Sequence, residues 1–228
     1  MKTQALFMLL AASLSLDVAA AGAPASAATV VRLPNCQYAG QSLSADLSTT
    51  TVVNSTDPHW SVSGPTGNNL APGHTALPSW TALPNNWVQP SAPSATAVNE
   101  PAGKYTYMIR FYVPCEPKNY ASIHFQGGIA ADNEILSASL NGTVIPGVSC
   151  SGNGGYCFKT TYGPVPLPST SPPPGLVRGY NTLTVTVNND GGPSGMATVL
   201  HIVAVCGKEC CMLLERVRRD EAAPANEQ

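Results

Sequence analysis

The sequence predicts an all-β protein, an antiparallel β-sandwich of jelly-roll type in a single domain, and three observations carry that prediction. Charged residues make up only 11% of the 228 positions, while 20 glycines and 21 prolines are spread along the chain. Few charges with many chain-reversing residues suit short strands joined by turns better than long amphipathic helices. Apolar and polar residues alternate with a period of two in several segments, so that successive side chains serve opposite faces of a sheet. Finally, turn signals rather than helical periodicity separate those segments, which is the pattern of sandwiches and jelly rolls.

The first 27 residues read as an export signal: Lys2, an apolar run from Ala5 to Leu16, and small residues ending at the Ala25-Ser26-Ala27 cleavage pattern. The apolar run is too short for a membrane span, which needs about 20 such residues. The expectation is a secreted protein, extracellular or periplasmic. Residues 28–206 form the predicted sandwich domain. Residues 207–228, with Arg216, Arg218, Arg219, Asp220 and Glu221 near the end, read as a charged, disordered tail outside the core.

Along the mature chain, Thr29 to Leu33 is a short β-branched run, and Leu43 to Val53, which contains Thr49-Thr50-Thr51-Val52-Val53, reads as an early strand. The stretch from Asp57 to Pro101 is rich in Pro, Asn, Gly and Ser and holds Trp60, Trp80 and Trp87, so loops pinned by large aromatics are expected. Lys104 to Val113 alternates Tyr105, Tyr107, Ile109, Phe111 and Val113 against Thr106, Met108, Arg110 and Tyr112, which predicts a strand with one buried face. Ala121 to Gln126 and Glu134 to Leu140 follow the same rule. Asn141-Gly142 after the latter is a hairpin signal, because both residues tolerate the positive φ of a type I′ turn. Phe158 to Tyr162 is a weaker strand, the proline run 164–174 reads as a stiff surface loop, and Thr182 to Asn189 and Met196 to Val205 close the domain.

Seven cysteines are present, at 36, 115, 150, 157, 206, 210 and 211. Cys150 and Cys157 flank a flexible Ser-Gly-Asn-Gly-Gly-Tyr loop and are the expected first disulfide. A second bridge would join two of Cys36, Cys115 and Cys206. The odd count leaves one thiol that could link a partner chain. A zinc site at Cys206, Cys210 and Cys211 fails on spacing, since adjacent cysteines do not easily face one tetrahedral ion.

A set of motifs in fixed order resembles a known family. Asp57-Pro58-His59-Trp60, Gly103-Lys104-Tyr105-Thr106-Tyr107, Ala130-Ala131-Asp132-Asn133 before a strand ending in Leu140-Asn141-Gly142, and Gly179-Tyr180-Asn181-Thr182-Leu183 succeed one another. Over about residues 50 to 205 this order is similar to the galactose-binding-domain-like jelly rolls, accessory modules of secreted glycoside hydrolases and bacterial surface proteins. The resemblance implies the sandwich and a non-catalytic, carbohydrate-related role. Related jelly rolls often hold a structural calcium ion, and strand-end oxygens here could supply its ligands, although no Asp-rich loop demands one. Read from the residues themselves, Asp132, Asn133, Asn141 and Gly142 are turn and capping positions.

Sugar binding needs aromatic planes and a few fixed polar groups. Trp60, Trp80 and Trp87, with His74 and Asn86, supply those residue types in one loop-rich region; the alternative is that the tryptophans plug the ends of the sandwich. The formal net charge of −2 provides no basic field for nucleic acid. No Gly-x-Ser-x-Gly elbow presents a nucleophile, and no catalytic residues are assigned. The expected function is a secreted carbohydrate-binding or surface-adhesion module with a glycan or cell-surface polymer as partner and no cofactor beyond that calcium. A structural or protein-interaction component of the cell surface is the second reading, and a small secreted hydrolase the third.

Overall fold

The computed structural model describes residues 28–49, 52, 55–65, 69–70, 73–75, 87–90, 99–151, 157, 165–210 and 212. Fifteen strands lie among them, in chain order β1 Val31–Arg32, β2 Ser42–Asp46, β3 Trp60–Ser63, β4 Asn69–Leu70, β5 Gly73–Thr75, β6 Trp87–Gln89, β7 Asn99–Glu100, β8 Gly103–Val113, β9 Tyr120–Asp132, β10 Glu134–Leu140, β11 Thr143–Val144, β12 Val165–Pro166, β13 Gly179–Asn189, β14 Gly192–Pro193 and β15 Gly195–Cys206. One short 3-10 turn, Pro117–Asn119, precedes β9.

Two sheets make the sandwich. The first runs β11-β10-β13-β8-β3-β4, and the second runs β12-β9-β15-β6-β5, with β2 also on β15. All pairings are antiparallel except that of β1, which joins β8 in parallel through Val31 opposite Phe111 and Arg32 opposite Tyr112. The central partners are long: β8 and β13 pair from Gly179 opposite Val113 to Asn189 opposite Gly103. The alternation in β8 sorts its side chains as the period of two requires, with Tyr105, Tyr107, Ile109, Phe111 and Val113 buried. Those residues meet Ile123, Phe125, Leu200 and Ile202 of the other sheet in one continuous core. Phe111 and Phe125 join the layers edge to face, with ring centroids 6.2 Å apart.

The Asn141-Gly142 turn is the expected two-residue hairpin, Leu140 facing Thr143 with φ of 51° and 80° at the two turn residues. Three elements differ from the sequence reading. The early strand is Ser42–Asp46, and Thr49 lies beyond it: Asp46 Oδ1 accepts the Ser48 amide and turns the chain, after which Thr49 and Thr198 exchange side-chain and backbone hydrogen bonds. The proline run starts with a strand, β12, and buries Leu167. Cys210, placed by sequence in the tail, is fully buried and bridged to Cys115, so the packed structure continues past residue 206.

Three disulfides are present. Cys150–Cys157 is the pair expected from its loop, Cys36–Cys206 is one of the pairings left open, and Cys115–Cys210 was not foreseen. All three lie within the chain; the seventh cysteine, Cys211, falls outside the described residues, as do the first 27 residues, Phe158 to Tyr162 and most of residues 207–228. No helix among the described residues is long and apolar enough to cross a membrane.

Candidate functional site

Trp60 and Trp87, the tryptophans among the described residues, do not form a ligand surface. Trp60 is 1% exposed, and its indole Nε1 donates to the Leu47 carbonyl at 3.1 Å. The turn before it explains why: Asp57 Oδ1 accepts the amides of His59 and Trp60, so the Asp-Pro-His-Trp motif feeds the ring into the core. Trp87 is also 1% exposed and packs with Ala130 and Ala197. A large ring gains more from burial than from display, and the burial of both, Trp60 in the main core and Trp87 in a separate cluster on the other face of the second sheet, corrects the expectation that they stack on sugars. Trp80 and Asn86 lie outside the described residues. For His74 the structure describes only its backbone, which pairs with Val88 in the second sheet.

On the outer face of the first sheet Tyr180 is exposed and Tyr112, beside it, is half-buried. Pairing sets Arg32 opposite Tyr112, and Tyr112 opposite Tyr180, so one row of side chains crosses β1, β8 and β13. Residues opposite each other across a ladder project from the same face. The two rings meet edge to face at 5.2 Å, and Tyr180 is 51% exposed. The Arg32 guanidinium lies 4.9 Å from the Tyr112 centroid and 5.9 Å from that of Tyr180, and its Nη2 donates to the Tyr180 hydroxyl at 3.4 Å. Arg110, one outward position along β8, sits 5.2 Å from the Tyr180 centroid. Such stacking holds each cation in place by its attraction to the ring quadrupole.

Beside this row is a recess of about 460 Å³ lined by Arg32, Pro34, Asn35, Tyr112, Pro114 and Arg178. Its walls are stiff for reasons legible in the chain. Asn35 adjoins Cys36, bridged to Cys206, and Pro114 adjoins Cys115, bridged to Cys210. The loop that presents Val177, Arg178 and Tyr180 is held by Asn181, which is buried. Asn181 Oδ1 accepts from Asn141 Nδ2 and the Val177 amide, while its Nδ2 donates to the carbonyls of Val177 and Gly179. All four hydrogen-bonding positions of that amide are filled. Asn141 in turn donates to the Gly175 carbonyl and accepts the Thr182 amide. Asn141 and Gly142 therefore fill the structural role expected of them and also buttress the loop beside the recess.

A second polar group sits at the end of β9. Asp132 closes the strand, 3% exposed, with Oδ1 lacking a hydrogen-bond partner. Sequence reading placed it as a cap ahead of a strand; instead it is buried at the end of one, and it is Asn133 that caps, its Oδ1 accepting the Asp190 amide. Burial, reinforced by the negative charge of Asp190, raises the Asp132 carboxyl to about 7. Tyr107, buried nearby, is pushed well above its ordinary value, first by burial and then by the charge of Glu100. No cluster of three or more metal-ligating side chains occurs among the described residues.

No protein-family model matches the sequence, and no curated protein matches it. Two solved structures are similar over about three quarters of this chain. One is a β-glucuronidase from Ruminococcus gnavus, at 16% identity and a TM-score of 0.36, with 76% of this chain and 30% of that one covered. The other is an α-L-rhamnosidase from Streptomyces avermitilis, at 14% identity and a TM-score of 0.24, covering 75% and 23% respectively. The chain thus spans less than a third of the length of either enzyme.

Proposed function

We propose that this chain is an exported, non-catalytic carbohydrate-binding module of the galactose-binding-like type, and that it meets its ligand on the Arg32–Tyr112–Tyr180 face. The observation that carries the reading is the exposed Tyr180, edge to face with the half-buried Tyr112 beside the recess. Aromatic planes with a few fixed polar groups are what a sugar ring requires, and rigid walls limit the entropy lost on binding. Three intrachain disulfides fit an oxidising compartment. The buried Asp132 carboxyl has the raised pKa of a general acid, but at 3% exposure it is out of reach of a polymer, which favours binding over hydrolysis.

Affinity electrophoresis and calorimetry against neutral and acidic polysaccharides test this. Binding is expected for the wild-type chain and lost in Tyr180→Ala, with Tyr112→Ala losing it as well if the fold survives. Binding that persists in Tyr180→Ala yet disappears in Trp80→Ala would move the site to the loop region. A panel on which nothing binds would overturn the reading in favour of a structural role at the cell surface.

A further inference from the structure

We infer that the glycan recognised on this face is acidic, a chain bearing carboxylate or sulfate groups; this rests on the carbohydrate reading above. Three cations gather there. Arg32 and Arg178 line the recess, and Arg110 flanks Tyr180. Among the described residues none of the three has a carboxylate partner within ion-pair distance, although the chain as a whole carries more acidic than basic residues. A concentration of unneutralised positive charge on a chain of net charge −2 is complementary to an anion and to little else.

The hydrogen-bonding count points the same way. A guanidinium has five N–H donors in a fixed fork that matches carboxylate and sulfate oxygens in pairs. Here one bond is made, from Arg32 to the Tyr180 hydroxyl, and it leaves the other donors of Arg32 for a ligand. Arg32 and Arg110 are nonetheless held by attraction to the tyrosine rings, whose centroids lie 4.9 to 5.9 Å from their guanidinium carbons. Cations already positioned lose less rotamer freedom when they bind than free surface arginines do. Across three neighbouring strands the row spans about 10 Å, the length of a disaccharide. A repeating acidic polymer can therefore set an anionic group on the arginines while a sugar face lies over the exposed part of Tyr180. Nucleic acid is the poorer occupant, since a chain of net charge −2 supplies no overall basic field to follow a phosphate backbone.

The test uses the full chain with its disulfides intact and four probes: polygalacturonate for carboxylate, dextran sulfate for sulfate, plain dextran as the neutral polymer, and single-stranded DNA as a non-glycan polyanion. At low salt we expect at least one acidic glycan to bind about tenfold or more tighter than dextran, and to weaken steeply as salt screens the contact. Arg32→Gln, Arg110→Gln and Arg178→Gln together should remove that preference with the thermal midpoint little changed, since exposed substitutions rarely disturb a fold. If dextran binds as well as the acidic glycans and only Tyr180→Ala abolishes it, the acidic inference fails while the carbohydrate reading stands. If no glycan binds, both fail. If DNA binds as tightly as the acidic glycans with the same arginine dependence, the face is a general polyanion site and the inference is overturned.

Discussion

Substituting Asp132 by Asn should change how stability depends on pH, and the structure fixes the sign. In the folded chain this carboxyl titrates at about 7, because burial first and Asp190 second disfavour its charge; unfolded, it returns to 3.8. Between those values the folded state holds a proton that the unfolded state has released, so stability falls as pH rises through this window and levels off above about 7. At about 1.36 kcal/mol per pH unit, the upper bound on the loss is about 4 kcal/mol. Relaxation of the site around the ionised group will reduce it. The assay is urea unfolding of wild type and Asp132→Asn from pH 4 to 8. Asp132 is the one residue that differs between the two proteins, so the difference between the two curves isolates it. The variant should gain on the wild type by at least about 1 kcal/mol between pH 4 and 7.5. Curves that stay parallel within about 0.5 kcal/mol would refute the reasoning. Asp190→Asn adds an internal control: with its charge removed, the upper edge of the wild-type window should move to lower pH.

Further consequences concern the frame around the recess. Asn181→Ala removes four hydrogen bonds from a buried amide; leaving the Val177 and Asn141 donors unmet should cost about 2 to 4 kcal/mol in chemical denaturation, and glycan affinity should fall because Arg178 and Tyr180 lose their support. Replacing Cys36 and Cys206 together by Ser opens a loop of 170 residues, which the chain-entropy estimate values at up to about 5 kcal/mol; calorimetric melting of this variant against the wild type, both without reductant, measures it. Gly127→Ala should be among the most damaging single changes outside the site, because a Cβ there would collide with the Val199 carbonyl oxygen at a φ of +121°. A loss of about 2 kcal/mol or more is expected in the same unfolding assay.

Much of the fold was legible because the period of two is imposed by the core. Tyr105, Tyr107, Ile109, Phe111 and Val113 could be read as one buried face without knowing their partners, and the Asn141-Gly142 turn announced its own geometry. The tryptophans misled because size and loop context do not tell whether a ring points in or out; the Asp57 turn that drives Trp60 inward is a hydrogen-bond pattern, not a composition. Cys210 was assigned to the tail for the same kind of reason, since the charges beyond it say nothing of a bridge to Cys115.

The proposed site lay in plain sight as the other half of an alternation. Once Phe111 and Val113 face the core, Arg110 and Tyr112 must face out, yet that says only that they are exposed. What makes them a site is the strand register, in which Arg32 and Tyr180 fall on either side of Tyr112 although they are 148 residues apart in sequence. Register is chosen by inward residues: a slip of one position would turn Leu183 and Val185 to solvent and Tyr180 into the core. The apolar face therefore determines which polar residues meet on the opposite one. A substitution in the core that lets β13 slide should abolish binding without touching any residue of the recess.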